Sequence, residues 1–292
     1  MKPMQKTPEL VIYITTGTET SPGVVYQVNA DGGQVMGKVH LPYTATGIDM
    51  YRTHGLALCV PRDGGRILQI KESGEVATVL EKDPTMPHPT DVACPGDSDV
   101  IVAADNIANV ICATSIGGQK AKVYQRISGN YTSQNMSVAV TNDKHVVFSS
   151  DGQPGVFNYA GDQSATASEN KPVLPMTGGV AADHKSLRWA AAQDPNLIYV
   201  YEGPELLKKL RLPPNKSLYK NGLLSFSPAG SLIVAVRDSD KEVGEVWFLS
   251  YDVDKEEVKS LFPWKAEQIQ DFVAGPRMLW DRKKASDYKS TF

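Results

Sequence analysis

The sequence predicts an all-β fold, a six-bladed β-propeller with four-stranded antiparallel blades. A pattern of short apolar strands repeats along the whole chain, and the central residues of its first strands lie 42 to 49 residues apart. A repeat of this length is typical of propeller blades. The chain also begins with a segment that aligns with second strands and ends with a spare first strand. The central first-strand residues are Ile48, Val92, Val138, Val180, Leu224 and Val273.

Residues 88–118 show the elements of one blade in order. A first strand of small residues, Thr90-Asp-Val-Ala, precedes a strongly apolar second strand that ends at Asp105. A third apolar strand, Asn109-Val-Ile-Cys-Ala, runs into a Gly-Gly turn of the kind that joins antiparallel strands. The predicted fourth strands are more polar, as expected at the outer edge of a blade.

The two ends of the chain predict how the ring closes. Leu10–Thr16 aligns with second strands, and Gln270-Asp-Phe-Val-Ala-Gly supplies the missing first strand. Sharing one blade between the termini removes the open sheet edges of a linear array. We therefore expect a single propeller domain over residues 1–292. The expected blades are 10–41 with 269–276, 45–81, 89–127, 134–174, 177–212 and 221–262, and a tail follows at 281–292.

Composition excludes several classes of partner. A net charge of −3 over 292 residues gives no basic surface for nucleic acid or an anionic membrane. No apolar run is long enough for a membrane-spanning helix. Cys59, Cys94 and Cys112 each lie in an apolar strand pattern without metal-binding spacing, which indicates buried reduced thiols. We expect a cytoplasmic monomer, or an extracellular protein if a signal peptide has been removed.

Five second strands end on an aspartate, 13 to 15 residues after the central residue of the first strand. These strand ends should meet around the mouth of the central channel, where carboxylates could bind Ca²⁺ or Mg²⁺. Aspartate also caps its own turn by accepting backbone N–H bonds, and its repetition in five blades favours this structural role. The five aspartates are Asp63, Asp105, Asp151, Asp194 and Asp238. The candidate metal ligands are Asp49, Asp105, Asp151 and Asn135.

Asp49 departs from the repeat, because the other five blades carry alanine or serine at its position. A carboxylate facing the crowded axis must be solvated, hydrogen-bonded or paired with a cation. It is therefore a candidate for ligand binding or catalysis, with a structural partner as the alternative. Arg62 and Arg237 each precede a turn aspartate. They are candidate partners of Asp49 or binding groups for an anionic ligand, unless they lie between blades.

Other polar residues are expected at the mouth as ligand-binding groups. These are Thr90, Asn135, Asn221 and Asp271. His88, between two prolines near the entrance to a first strand, is a candidate for acid–base catalysis or a residue of a rigid loop. We expect His54, His145 and His184 to be solvated turn residues on the opposite face.

Thr90-Asp-Val-Ala, followed by Val102-Ala-Ala-Asp-Asn, resembles the NHL repeat. Similar six-bladed propellers include the gluconolactonase and regucalcin lactonases, strictosidine-synthase-like proteins and streptogramin lyases. The lactonase resemblance implies a divalent cation held by a glutamate at the start of a first strand, with asparagine and aspartate from other blades. No first strand here opens on glutamate. Of the histidines and glutamate that streptogramin lyases place near magnesium, only His88 has a candidate equivalent.

The absence of a complete catalytic set favours a non-enzymatic binding or scaffolding propeller. Its expected partner is a protein, peptide or glycan at the channel mouth. The alternative is a divalent-metal-dependent lactonase-like hydrolase or lyase with its site in the channel.

Overall fold

The computed structural model describes most of the chain as β-strands joined by turns. The described residues are 9–18, 21–51, 55–95, 99–108, 110–115, 120–126, 136–150, 153–158, 178–220, 222–239, 245–265 and 268–280. The strands are β1 (Leu10–Thr16), β2 (Val24–Asn29), β3 (Val35–His40), β4 (Gly47–Tyr51), β5 (Gly55–Val60), β6 (Arg66–Lys71), β7 (Val76–Glu81), β8 (Pro89–Ala93), β9 (Val100–Asp105), β10 (Val110–Ser115), β11 (Lys122–Arg126), β12 (Ser137–Val140), β13 (His145–Ser150), β14 (Gln153–Asn158), β15 (Val180–Ala182), β16 (Arg188–Asp194), β17 (Leu197–Glu202), β18 (Glu205–Arg211), β19 (Lys216–Leu218), β20 (Leu224–Phe226), β21 (Leu232–Asp238), β22 (Val246–Asp252), β23 (Glu257–Trp264) and β24 (Ile269–Pro276).

These strands form six antiparallel sheets, numbered here in chain order. Sheet 1 is β24-β1-β2-β3, sheet 2 is β4 to β7, sheet 3 is β8 to β11, sheet 4 is β12 to β14, sheet 5 is β15 to β18, and sheet 6 is β19 to β23. The prediction of an all-β propeller with antiparallel, four-stranded blades is thereby confirmed. In sheet 4, the part of the predicted blade from 159 to 174 lies outside the described residues.

Sheet 1 closes the ring in the predicted way. The C-terminal strand β24 pairs with β1 from Leu10 opposite Pro276 to Thr16 opposite Ile269. The hydroxyl of Tyr13 reinforces this pairing, because it donates to the Pro276 carbonyl and accepts from the Met278 N–H. The two ends of the described chain are therefore held together by strand pairing and by side-chain hydrogen bonds.

The first strands of the sheets form an inner ring. Each contacts the next in the order β24, β4, β8, β12, β15, β20 and back to β24. Six hydrophobic clusters fill the spaces between neighbouring sheets. In β1, for example, Val11 and Tyr13 pack toward sheet 2, whereas Ile12 and Ile14 pack toward sheet 6. Because both faces of the second strands are covered, these strands are almost continuously apolar in sequence.

Two features of the sheets go beyond the predicted pattern. The short strand β19 pairs with Val236–Asp238 of β21, beyond the three positions that β20 covers. In addition, the pairing of third with fourth strands contains a register shift in each of sheets 1, 2, 3, 5 and 6. Such bulges bend the edge strand and increase the local twist, which disfavours pairing with another molecule.

The described residues include no helix that is long and apolar enough to span a membrane. All three cysteines are buried thiols without a disulfide.

Candidate functional site

A cavity of about 890 Å³ lies on the axis of the ring. Residues of all six inner strands line it, from Ile48 and Asp49 of β4 round to Asp271–Val273 of β24. Its wall includes the small residues Ala93, Ala139 and Ala181, which keep the axis open. The cavity is therefore the central channel of the propeller. Its volume is within the range of small-molecule binding sites.

Polar side chains on the inner strands connect neighbouring sheets. The Asp271 carboxylate accepts the backbone N–H of Ile48 at 2.9 Å. The Asp49 carboxylate accepts that of Cys94 at 2.7 Å, and the Asp91 carboxylate accepts that of Val138 at 2.8 Å.

Two serines connect neighbouring inner strands in the same way, through uncharged hydroxyl groups. Ser137 Oγ accepts the Val180 N–H at 3.2 Å, and Ser225 Oγ accepts the Ala274 N–H at 3.0 Å. Sheets 5 and 6 meet differently, through close backbone contact at Gly179 and Gly222: a Cβ on Gly179 would lie 2.0 Å from the Gly222 carbonyl oxygen. Every junction between neighbouring inner strands is thus held by a hydrogen bond or by glycine packing.

Asp49 lines the channel, as expected for a residue that departs from the repeat. Besides the Cys94 N–H, its carboxylate accepts the N–H of Met50 at 2.8 Å. Its nearest cationic side chain is His184, whose Nε2 lies 3.7 Å from Asp49 Oδ1. Of the roles considered for Arg62 and Arg237, pairing with Asp49 is not found among the described contacts. Arg62 pairs instead with Asp63, and Arg237 is exposed and does not line the cavity.

His184 is the residue that sequence reasoning missed. We expected it on the face away from the mouth, but its ring reaches the channel from the turn after β15. Asp183 fixes this turn by accepting the Lys185 N–H at 3.0 Å and the Ser186 hydroxyl at 2.7 Å. In the ring order, β15 is three strands away from β4 on either side, so His184 approaches Asp49 from across the channel. In the sequence, this contact could be inferred only from the order of the blades and from the carboxylate of Asp49, which has no obvious partner nearby in the chain.

Among the described side chains, the imidazole of His184 interacts with the carboxylate of Asp49. The 3.7 Å between its Nε2 and Asp49 Oδ1 suits an ion pair but is too long for a well-formed hydrogen bond. Its Nδ1 is buried and unpartnered among the described residues. Burial by itself lowers the pKa of His184, but the carboxylates of Asp49 and Asp183 outweigh it, so the pKa is raised above its usual value.

Two carboxyls of the channel, those of Asp91 and Asp271, have raised pKa values. Burial raises the pKa of Asp91 to about 7, opposed by the hydrogen bonds from Val138, Ser137 and Val92 and assisted by the charge of Asp49. Burial raises the pKa of Asp271 well above its usual value, and the charges of Asp91 and Asp49 act in the same direction. The protonation of Asp91 and that of Asp271 are therefore each influenced by neighbouring carboxyl groups of the channel.

The mouth of the channel carries both cationic and polar groups. Lys220 Nζ donates to Gln270 Oε1 at 2.8 Å. Partial burial lowers the pKa of Lys220, although Asp271 acts in the opposite direction. Arg62 is half-exposed, with its guanidinium 5.8 Å from the ring centre of Tyr43.

His88 and Thr90, both expected at the mouth, line the cavity. The Nδ1 of His88 is 2.8 Å from Asn106 Oδ1, so its described side-chain partner is an amide and not a carboxylate. The Thr90 hydroxyl lies 3.4 Å from the carbonyl oxygens of Ala104 and Met136 and can donate its one hydrogen to either. Neither side chain forms part of a nucleophile–base pair in the described residues.

The repeated aspartates do not converge on one ion where they are described. Asp105 is fully buried, and its carboxylate caps the turn after β9 by accepting the N–H groups of Ile107 and Ala108 at 3.0 and 2.8 Å. Its other oxygen accepts the N–H of His88. Asp63, at the same position in sheet 2, is exposed.

A divalent cation, as the lactonase resemblance implies, is not fitted by these residues. Within the described ranges, no three His, Cys, Asp or Glu side chains are grouped so that they could hold a metal ion. The described candidates Asp49 and Asp105 use their oxygens to bind backbone N–H groups. Asp151, Asn135 and Asn221 lie outside the described residues.

Comparisons with known proteins agree on the fold. No family model matches the chain, and no curated protein matches it. Among solved structures, 1073 chains match, so the architecture by itself does not select a function. One of them, from the crystal structure of a nidogen/laminin complex, has a TM-score of 0.64 and 10% sequence identity. The alignment covers 92% of this chain and 98% of that chain. A likeness at this level of identity is one of fold alone.

Proposed function

We propose that this chain is a non-enzymatic binding propeller that recognises a protein or peptide at the mouth of its channel. The observation that carries the proposal is the channel itself. It is a cavity lined by polar and apolar side chains and open at the mouth, where Arg62 is exposed, and the described residues include no group of three side chains that could hold a metal ion. A propeller chain of similar fold occurs in a complex between two proteins, nidogen and laminin, which is compatible with this role.

The mouth offers groups suited to a peptide. The Arg62 guanidinium can bind a carboxylate or carbonyl oxygen through two parallel N–H bonds. Lys220, which also lines the cavity, adds a second positive charge beside Gln270. Peptide backbones and acidic side chains present acceptors of this kind, so a partner segment with a carboxylate is the expected ligand.

We also propose finer assignments of fold and location. Six sheets with six clusters between them support a six-bladed ring. The Thr-Asp-Val-Ala and Ala-Asp patterns support kinship with NHL-like and gluconolactonase-like propellers. The buried thiols support a reducing, cytoplasmic location.

A divalent-metal-dependent lactonase-like hydrolase or lyase is the alternative. The three carboxyls facing the channel favour it, whereas the use of their oxygens by backbone N–H groups opposes it. A thermal-shift titration with Ca²⁺, Mg²⁺, Mn²⁺ and Zn²⁺ separates the two proposals, because an ion that binds the folded state raises the melting temperature.

The proposal is tested by panning the purified protein against a displayed peptide library and a glycan array. Selected ligands are then measured on Arg62→Glu, with Arg211→Glu as the matched control, since Arg211 is exposed on the outer strand β18. We expect peptides that bind the unchanged protein and the control equally, and Arg62→Glu at least about tenfold more weakly. Selection of glycans alone, or of peptides indifferent to Arg62→Glu, would overturn the proposal.

A further inference from the structure

The channel contains more carboxyl groups than its structural role requires. Asp49 occupies the repeat position of Ser225, and Asp91 that of Ser137, and in both cases the serine makes the equivalent bond to the next inner strand. A hydroxyl is therefore sufficient to connect neighbouring strands. Carboxylates at these positions are costly to bury without a counter-charge.

Asp49 is paired with His184, but the other two carboxyls have little cationic compensation among the described residues. Asp91 and Asp271 are bonded to neutral N–H and hydroxyl groups. Lys220 lies near Asp271 but gives its hydrogen bond to Gln270. Three carboxyl groups from the adjacent strands β24, β4 and β8 thus face one side of the channel.

His184 provides a second, independent observation. Its ring lines the channel opposite these carboxyls, and its buried Nδ1 has no hydrogen-bond partner among the described residues. The raised pKa of this histidine also shows that the local potential favours a positive charge strongly enough to overcome burial.

The shape of the site favours an organic cation over a metal ion. The described acidic and imidazole groups do not gather tightly enough to coordinate one metal. An ammonium group forms separate hydrogen bonds to acceptors spaced further apart. The alanines of β8, β12 and β15 in the channel wall can accommodate an attached methylene chain.

We propose that the channel binds a primary alkylammonium group, with its N–H donors directed to the carboxyls of Asp49, Asp91 and Asp271 beside His184. The inference rests on the proposed function, since a partner bound at the mouth would insert a lysine side chain or its amino terminus into the channel. A free alkylamine has the same chemistry.

The test measures dissociation constants by ligand-observed NMR for three ammonium compounds. N-acetyl-lysine N-methylamide represents a lysine side chain, alanine amide an amino terminus, and butylamine a free amine. N-acetyl-norleucine N-methylamide is the uncharged match for the lysine compound. We expect at least one ammonium compound to bind, the norleucine compound not to bind, and the tightest binder to identify the source of the group.

Variants that copy the chain's own repeat test the site without removing its strand contacts. Asp49→Ser and Asp91→Ser reproduce Ser225 and Ser137, and each should weaken ammonium binding about tenfold. Asp31→Asn, at an exposed position in the turn between β2 and β3, removes the same charge elsewhere and should bind like the unchanged protein. If one serine variant does not fold, the other still gives the answer.

Two results would overturn the inference. One is that no ammonium compound binds better than the norleucine compound, and the other is that both folded serine variants bind as well as the unchanged protein. If either occurs while Arg62→Glu still weakens peptide binding, the proposed recognition at the mouth stands without the ammonium site. Ammonium binding without any peptide dependent on Arg62 would instead support the inference and overturn the proposed function.

Discussion

The turn after β9 offers the sharpest test of what the repeated aspartates do. Asp105 is fully buried, and its carboxylate accepts three backbone N–H groups, from Ile107, Ala108 and His88. The first two bonds close the turn, and the third holds the segment that leads into β8. Asp105→Ala removes the acceptor oxygens of all three bonds while leaving the strand intact.

The expected loss follows from the number of bonds. A hydrogen bond to a charged group stabilises a protein by about 1.5–3 kcal/mol, so three bonds set an upper range of about 5–9 kcal/mol. Part of this is regained, because the side chain of Ile107 is 65% exposed and water can reach the N–H groups of the turn. We expect Asp105→Ala to lower the free energy of unfolding by about 3–4 kcal/mol. Asp105→Asn keeps one acceptor oxygen and should lose about 1.5 kcal/mol.

Urea denaturation at pH 7, followed by tryptophan fluorescence and circular dichroism, measures these differences. Asp63→Asn is the matched control, since Asp63 occupies the same repeat position but is exposed. We expect it to change stability by less than about 0.5 kcal/mol. The reasoning is refuted if Asp105→Ala costs no more than Asp63→Asn, and a cation site would then become the better explanation of the repeat.

Three further predictions concern the channel and the ring closure. Burial raises the pKa of Asp91 to about 7. The folded state therefore keeps a proton that the unfolded chain releases above about pH 4. The free energy of unfolding should consequently fall between pH 5 and pH 8. A pKa shift of this size corresponds to about 4 kcal/mol of stability, and water in the channel should reduce the effect to about 2 kcal/mol. Urea titrations at pH 5 and pH 8 measure the difference. Equal or higher stability at pH 8 would contradict the prediction. Phe272→Ala leaves a cavity at a buried position of the closing strand, where the rings of Phe272 and Phe248 pack edge to face with centres 5.0 Å apart. We expect urea denaturation to show that the free energy of unfolding falls by about 3–5 kcal/mol. A fall of less than about 1 kcal/mol would show that β24 adds little to ring closure. Tyr13→Phe leaves the buried Met278 N–H without its acceptor and should lower the unfolding free energy by about 1–3 kcal/mol, whereas no change would show that the segment after β24 is held by packing alone.

The strand order could be predicted from the sequence because every blade buries its strands in the same way. First and second strands pack between two neighbouring sheets, so their apolar residues recur at nearly fixed intervals. The closure of sheet 1 could also be predicted, since one terminus lacked the strand that the other had spare. Strand β19 was missed because three residues without an apolar pattern give no periodic signal.

The repeat was a weaker guide to individual side chains. Asp63 and Asp105 have equivalent positions, but only Asp105 is buried against N–H groups. The turn at Asp63 continues through Gly64 and Gly65, with φ values of 90° and 76°, and these glycines allow a tight turn that needs no side-chain acceptor. Which aspartate becomes a cap thus depends on loop geometry, which the repeat does not encode.

The place of Asp49 on the channel wall was predictable because this residue departs from the repeat. Asp49 was identified because alanine or serine replaces it in the other blades, and it does face the channel. Its opposite neighbour His184 was missed, because contacts across a channel depend on how many blades separate two strands. Residues that depart from a local sequence pattern are often found at functional sites. At two of the five junctions that a side chain bonds, serine is sufficient to connect the neighbouring strands. Aspartate at three adjacent junctions therefore adds carboxyl groups that the connection itself does not require. This difference is the reason to test the acidic side of the channel for ligand binding.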